Sequence, residues 1–264
     1  MNHSNLSILS LNQVSIQRGS LHVAQQIDLD LHAGKIYTVL GPNGTGKSSL
    51  IKAIFGELAH TGTISWQGQA QTQTARSDWV KPIGYMPQDS HVDAALSTLE
   101  VVLLGRMDAL HMHVGDDVLN QAASLLDELG IAHLAHRPIT ALSGGQRQLA
   151  MFAQVLLRQP KILLLDEPVS ALDMYHQLNL LEQVSRYTRE HQIITLMVLH
   201  DLSLAGQFSD ELILLANGKI QAQGQPAQVL QPDVLRDLYR VSVEVLTCSQ
   251  GLPVIRPQRH FLTI

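Results

Sequence analysis

The chain has 264 residues, 45% of them hydrophobic, and a formal net charge of −5. Its length suits one large α/β domain or two small ones, and its acidic balance argues against nucleic acid as the main partner. The single cysteine excludes an intrachain disulfide, and no apolar run approaches the roughly 20 residues of a membrane-spanning helix. The first ten residues lack the layout of a secretory signal, so we expect a cytosolic protein.

The first part of the chain predicts strands followed by a helix. Residues 6–19 and 24–34 alternate between apolar and polar side chains, which indicates two strands, and the β-branched run at 35–40 indicates a third. After a glycine-rich turn, a predicted helix carries apolar positions at Leu50, Ile51, Ile54 and Leu58. A strand, a glycine loop and a helix make up the first half of a βαβ unit.

The middle of the chain is helical in character, and strand patterns return after it. Apolar spacing predicts helices over 98–106, 118–130 and 144–160. Residues 161–165 and 194–199 are apolar on both faces, as strands of a covered parallel sheet are. Asn217-Gly218 then predicts a tight turn between two further strands.

The segment GPNGTGKS at 41–48 fits the phosphate-binding P-loop pattern, directly after a strand and before a helix. Its glycines allow successive backbone N–H groups to converge on phosphate oxygens, and the helix that follows points its positive end at the same anion. We expect Lys47 to reach the β- and γ-phosphates and the Ser48 hydroxyl to ligate Mg²⁺.

Two carboxylates end the apolar segment ILLLDEP. We expect Asp166 and Glu167 to face the phosphates, because ligands bind at the carboxyl ends of strands in open α/β sheets, and we expect their strand to lie beside the P-loop strand. Asp166 would support Mg²⁺, and Glu167 would position the attacking water. His200 ends another apolar strand; from spacing alone, contact with the γ-phosphate and a purely structural role remain equally open.

Taken in chain order, the motifs resemble those of the ATP-binding subunit of an ABC transporter. The P-loop is similar to Walker A, residues 162–167 to Walker B with its catalytic glutamate, and His200 to the switch histidine. Gln88 in YMPQ resembles the Q-loop glutamine, and SALD at 170–173 the D-loop with Asp173. The resemblance to the signature motif covers Leu142, Ser143, Gly144, Gly145 and Gln146.

The resemblance implies a fold and a set of site residues. The fold is an α/β P-loop ATPase domain over 1–264, with a core and N-terminal antiparallel β subdomain (1–88 and 160–225), a helical subdomain (89–159) and a C-terminal extension (226–264). It assigns catalysis to Glu167, His200 and Lys47, and Mg²⁺ binding to Ser48, Gln88 and Asp166. It assigns ATP binding to Gly41, Pro42, Asn43, Gly44, Thr45, Gly46, Lys47, Ser48, Ser49 and Gln88, and we add Arg18 as an expectation from the residues of the first hairpin.

The family architecture also explains the signature segment, which has no acid, base or metal ligand. Two copies pair head to tail, and each signature closes over the ATP held by the P-loop of the other. Ser143 suits this task because it can cap a helix and offer its hydroxyl. Gly144 and Gly145 would let bare backbone N–H groups approach a γ-phosphate.

Three softer features resemble the importer subgroup that serves ferric siderophores, with haem and vitamin B12 systems as close relatives: TLEVVLLGR, LHDLSLA and DVLRDLYRVSVEV. This resemblance implies a peripheral subunit on the cytoplasmic face of the inner membrane, with permease subunits docking around residues 88–110 and a substrate-binding protein acting indirectly. A soluble ABC ATPase acting on DNA or ribosomes is an alternative that predicts a long coiled-coil insertion or tandem cassettes, and the given sequence contains neither. A nucleotide-gated switch that does not turn over ATP is a further alternative, which the presence of both Glu167 and His200 disfavours. The ATPase subunit of an exporter is an alternative within the same class.

One position departs from the family pattern. The family usually stacks an aromatic side chain from the first hairpin on adenine, but VSIQRGS contains none. We expect the guanidinium of Arg18 to lie over the base, with Ile16 as an apolar alternative. Ser49 stands where threonine is common, and we expect no consequence from this exchange.

Overall fold

The chain forms three β-sheets over residues 8–19, 21–88, 95–109, 115–170 and 172–258, which a computed structural model describes. The strands are β1 (Ile8–Arg18), β2 (Leu21–His32), β3 (Ile36–Leu40), β4 (Thr61–Trp66), β5 (Gln69–Ala70), β6 (Ile83–Met86), β7 (Ile162–Asp166), β8 (Ile194–Val198), β9 (Glu211–Ala216), β10 (Lys219–Gly224), β11 (Val243–Thr247) and β12 (Pro253–Pro257). The helices are α1 (Lys47–Phe55), α2 (Arg76–Val80), α3 (Thr98–Leu103), α4 (Asp116–Glu128), α5 (Gly144–Leu157), α6 (Met174–Glu190), α7 (Leu202–Phe208), α8 (Pro226–Val229) and α9 (Pro232–Tyr239).

A six-stranded sheet forms the centre, in the order β10-β9-β3-β8-β7-β6. Its pairs are parallel except for β9 with β10, which form the hairpin predicted at Asn217-Gly218. Both β7 and β8 are buried at every residue, which confirms that the sheet is covered on both faces.

The expectation that the Asp166 strand lies beside the P-loop strand is wrong, because β8 lies between β7 and β3. Consecutive parallel strands usually pair, and β8 follows β7 directly through α6. Helix α1 packs against both β7 and β8, so it crosses β8 to reach the end of β7. This crossing brings the P-loop helix to Asp166 without a shared strand edge.

An antiparallel sheet, in the order β2-β1-β4-β5, covers one face of the central sheet. Its apolar side chains and those of α1 pack with Tyr37, Val39, Leu164 and Leu196 in one buried cluster. Helix α1 ends at Phe55, one turn before the predicted position Leu58, because Gly56 takes a left-handed conformation (φ 85°).

Helices α3, α4 and α5 pack together at the opposite face, where Leu126, Phe152 and Leu163 belong to the second buried cluster. The C-terminal hairpin of β11 and β12 packs on α7, where the Ile255 N–H donates to Ser203 Oγ at 3.0 Å. Within the described ranges, no helix has the length and apolarity needed to cross a membrane.

Candidate nucleotide-binding site

The P-loop needs glycine at two positions where other backbone lies close. Gly41 has φ 148°, and a Cβ there would lie 2.0 Å from the Leu215 carbonyl oxygen. Gly46 has φ 97°, and its Cβ would lie 2.3 Å from the Val23 carbonyl oxygen. The loop is thus fitted between the end of β9 and the start of β2, and any side chain at these positions would displace it.

Lys47, the first residue of α1, is 5% exposed, and its ammonium group closes the loop on itself. Its Nζ donates to the carbonyl oxygens of Gly41 (2.7 Å) and Pro42 (3.0 Å). Burial lowers the pKa of Lys47, although the charges of Glu167 and Asp166 act in the opposite direction. A buried cation with neutral partners is well placed to exchange them for phosphate oxygens.

A cleft of about 670 Å³ opens beside the P-loop and collects most of the predicted site residues. It is lined by Arg18, Leu21, Val23, Asn43, Gly44, Gly46, Lys47, Ser48, Ser49, Gln88, Glu167 and His200. Gly41, Pro42 and Thr45 belong to the same loop, and the Thr45 hydroxyl donates to the Pro42 carbonyl at 2.8 Å. The side chains that the sequence predicts for nucleotide binding therefore meet in one volume.

Ser48 lines this cleft, and its side chain contacts Asp166 at the end of β7. The Ser48 hydroxyl donates to Asp166 Oδ1 at 2.9 Å, and Asp166 is only 2% exposed. Burial raises the pKa of Asp166, while the Ser48 hydrogen bond lowers it. A hydroxyl and a buried carboxylate are hard oxygen ligands of the kind Mg²⁺ prefers.

Glu167 is clamped between two side chains from separate parts of the chain. Gln88 Nε2 donates to Glu167 Oε2 at 2.8 Å, and His200 Nε2 lies 2.5 Å from Glu167 Oε1. The Glu167 backbone is left-handed (φ 53°), a conformation that is costly for a non-glycine residue. The structure therefore brings Gln88 and His200 together at the carboxylate of Glu167, the residue predicted to position the attacking water.

The first hairpin contributes Arg18 and two aliphatic residues to the cleft. Arg18 is exposed, and Leu21 is 60% exposed although its side chain is apolar. Ile16 is fully buried, so the alternative that it contacts the base is wrong. The alternation of β1 turns Ile16 into the core, whereas Leu21 begins β2 next to the cleft.

The signature residues form the start of α5. Ser143 is the N-cap: its hydroxyl accepts from the Gln146 N–H, and Gln146 Oε1 accepts from the Ser143 N–H. Ser143 and Gly144 are exposed, whereas Leu142 and Gly145 are buried. No residue of 142–146 is among the described residues that line the P-loop cleft. Within one chain, the signature is therefore separate from the nucleotide site.

Asp173 caps α6, where its Oδ1 accepts from the His176 N–H at 3.0 Å. Hydrogen bonds from His176 lower the pKa of Asp173. Ala171 of the D-loop lies outside the described residues, as do residues 89–94 and 110 of the segment predicted to receive a permease.

Tyr239 contacts the P-loop, which the sequence did not suggest. The backbone of Gly41 hydrogen-bonds its phenol, and burial raises the pKa of Tyr239 to about 12. Tyr239 also borders a second cleft of about 570 Å³ on the P-loop, together with Pro42, Asn43 and Gly44. A tyrosine about 200 residues after the motif, in an ordinary amphipathic helix, gives no signal that would reveal this contact.

Comparisons with known proteins agree with this geometry. A model of the ABC transporter family matches residues 24–170. The hemin import ATP-binding protein HmuV of Plesiomonas shigelloides is 36% identical over 253 residues, covering 89% of this chain and 95% of that protein. The iron(3+)-hydroxamate import ATP-binding protein FhuC of Bacillus subtilis is 34% identical, covering 92% of this chain and 91% of that protein.

Solved structures show the same fold. A chain of a metal-chelate type ABC transporter in an inward-facing conformation has a TM-score of 0.82 at 27% identity, covering 96% of this chain and 98% of that one. A nucleotide-free ATP-binding cassette has a TM-score of 0.78 at 22% identity, covering 87% of this chain and 98% of that one. The predicted fold class is therefore confirmed.

Proposed function

This chain belongs to the ABC transporter family as an ATP-hydrolysing subunit, and we propose that it powers an importer of iron complexes. A ferric siderophore is the first candidate cargo, since a relative at 34% identity is named for iron(3+)-hydroxamate import. Haem is the second candidate, since a relative at 36% identity is named for hemin import. The cargo itself would bind to other subunits.

The observation that carries the catalytic part of this proposal is the clamped carboxylate of Glu167 at the edge of the P-loop cleft. Gln88 and His200 fix its two oxygens, so it is held in one orientation before nucleotide arrives. A carboxylate in this position can accept a hydrogen bond from water and align it for in-line attack on the γ-phosphorus. His200 would then stabilise charge on the transferred phosphoryl group.

The P-loop residues bind the nucleotide. Lys47 leaves the carbonyls of Gly41 and Pro42 and contacts the β- and γ-phosphates, which replaces neutral partners with charged ones. Arg18 stacks on the base, and the exposed side chain of Leu21 supports the same face with an apolar contact. The test is an Arg18→Ala variant, which should weaken ATP binding; unchanged affinity would disprove this assignment.

The pair of Ser48 and Asp166 suits a magnesium ion. Ser48 and Asp166 supply a hydroxyl and a carboxylate, and Gln88 an amide oxygen within the same cleft. Among the described residues, no cluster of three His, Cys, Asp or Glu side chains forms an all-protein metal site. This agrees with a metal held chiefly by one carboxylate, phosphate and water, as Mg²⁺ usually is. When bound, Mg²⁺ neutralises charge that develops on the phosphate oxygens.

The separation of the signature from the P-loop supports a head-to-tail pair of copies. Ser143 and Gly144 are exposed at the start of a 14-residue helix, which favours an anion from outside the chain. ATP held by one P-loop would complete its shell with the signature of the second copy, and hydrolysis would remove the γ-phosphate that joins them. The permease subunits, at the cytoplasmic face of the membrane, would follow this opening and closing.

A Glu167→Gln variant tests the catalytic assignment. It keeps the size of the side chain and a hydrogen bond to Gln88 or His200, but it removes the negative charge that polarises water. We expect ATP binding to persist, phosphate release to fall by at least about a hundredfold, and the ATP-bound pair of copies to accumulate in size-exclusion chromatography. Phosphate release at the rate of the parent would refute the role of Glu167.

Uptake assays in the native host test the cargo. Cells whose only copy is the inactive Lys47→Ala variant should lose uptake of iron supplied as a ferric hydroxamate, and wild-type cells should retain it. Loss of haem uptake alone would favour the second candidate, and loss of vitamin B12 uptake alone would contradict both. Co-purification of membrane proteins with the wild-type chain would identify the permease.

A further inference from the structure

The imidazole of His176 occupies the space that a side chain at Gly145 would need. A Cβ on Gly145 would lie 2.8 Å from His176 Cγ, 2.9 Å from its Cδ2 and 3.2 Å from its Cβ. Gly145 has no positive φ and is buried inside α5. Its lack of a side chain is therefore explained by packing within the chain, whereas Gly144 beside it is exposed.

His176 is itself held in place by Asp173. The carboxylate Oδ1 of Asp173 lies 2.7 Å from His176 Nδ1 and accepts from the His176 backbone N–H at 3.0 Å. Because Asp173 is also the N-cap of α6, the ring is tied to the first turn of that helix. Only a quarter of the His176 side chain is exposed.

Two glutamines, one on α5 and one on α6, also contact the turn that follows Glu167. Gln148 of α5 donates from Nε2 to the Pro168 carbonyl at 2.9 Å, one residue after Glu167. Gln177 of α6 donates to the Val169 carbonyl at 3.2 Å. The start of the signature helix and the start of α6 are thus both bound to the turn that follows the catalytic carboxylate.

We propose that His176 is a positioning residue that sets the distance between the first turn of α5 and the first turn of α6, beside residues 167–170. The imidazole is a rigid spacer, with Gly145 on one side and the Asp173 carboxylate at its ring nitrogen. This inference rests on the proposed function, in which Ser143 and Gly144 serve one ATP while Glu167 of the same chain serves the other. If residues 142–146 shift when they contact the ATP of the second copy, His176 and Gln148 would transmit this shift to the turn beside Glu167.

The experiment is a double-mutant cycle on Gly145 and His176 in the full-length chain, with ATP hydrolysis measured at saturating MgATP. Gly145→Ala should lower kcat by about ten- to a hundredfold, because its methyl group pushes the signature turn off the imidazole. His176→Ala should lower kcat about three- to tenfold through the lost spacer. The double variant should recover at least about fivefold over Gly145→Ala, because removing the ring makes room for the methyl group.

Two further variants separate positioning from general damage. His176→Asn keeps a donor for Asp173 and a planar group near Gly145, so its kcat should stay within about threefold of the parent. His191→Ala removes an exposed histidine at the other end of α6 and should leave kcat unchanged. Binding of ATP to the P-loop should be unaltered throughout, since neither Gly145 nor His176 lines the cleft.

A double variant no more active than Gly145→Ala would overturn the proposal, because glycine would then be needed for a contact outside the chain. Melting temperatures of the parent and the three variants of the cycle separate the positioning role of His176 from the proposed function. If the parent hydrolyses no ATP, the proposed function fails, but Gly145→Ala should still lower the melting temperature and His176→Ala should still restore it. If the losses of melting temperature in the two single variants simply add in the double variant, the contact between Gly145 and His176 is refuted.

Discussion

Gly44 and Gly46 provide a matched pair for testing how the P-loop is built. Both have positive φ, 79° and 97°, so alanine at either position pays the cost of a left-handed backbone, about 1–2 kcal/mol. A Cβ on Gly44 has no atom within 4 Å, whereas a Cβ on Gly46 lies 2.3 Å from the Val23 carbonyl oxygen. Relief of that contact requires a backbone shift, which adds about 1–3 kcal/mol.

We therefore expect Gly44→Ala to lower the free energy of unfolding by about 1–2 kcal/mol and Gly46→Ala by about 2–5 kcal/mol. Urea unfolding followed by circular dichroism, with the slope of the transition compared between variants, measures both values. The nucleotide-free protein is the right sample, because bound ATP would add its own stabilisation. Equal losses of unfolding free energy in Gly44→Ala and Gly46→Ala would show that β2 does not confine the loop at Gly46.

Three further predictions concern single side chains of the site. Tyr239→Phe should raise the KM for ATP about two- to tenfold with kcat unchanged, because it removes the phenol that holds Gly41; Tyr187→Phe, which removes a similarly buried phenol elsewhere, should leave KM unaltered. Asp166→Asn should stabilise the Mg²⁺-free protein at pH 7 while abolishing turnover. Burial raises the folded pKa of Asp166, so the parent should gain stability as pH falls through that pKa, and the difference in melting temperature between the two should shrink. Ser143→Asp should keep the helix cap and the stability of the parent yet lose turnover through repulsion of phosphate, whereas Ser143→Ala should lose turnover and about 1 kcal/mol of stability.

Short-range patterns in the sequence were sufficient for most of the elements. The double-faced apolar runs became the buried strands β7 and β8, and Asn217-Gly218 forms its hairpin with φ 50° and 73°. The P-loop glycines adopt the positive φ values that the motif requires. These features depend on side chains within a few residues of each other, which is the range that a sequence pattern contains.

Features that depend on distant parts of the chain could not be predicted in the same way. Strand order is one example, since nothing in the P-loop strand indicates that β8 would be its neighbour. The contact of Tyr239 with Gly41 and that of His176 with Gly145 are others. In both of these contacts the sequence contains an ordinary helical residue, and only the packed fold reveals what that residue touches.

The central claim is that two copies of this chain jointly enclose each ATP, and a crystal structure of the Glu167→Gln variant with MgATP tests it most directly. We expect Ser143 Oγ of one copy to lie within about 3 Å of a γ-phosphate oxygen bound at Lys47 of the other. A structure in which the signature residues 142–146 lie far from every bound triphosphate would contradict the account.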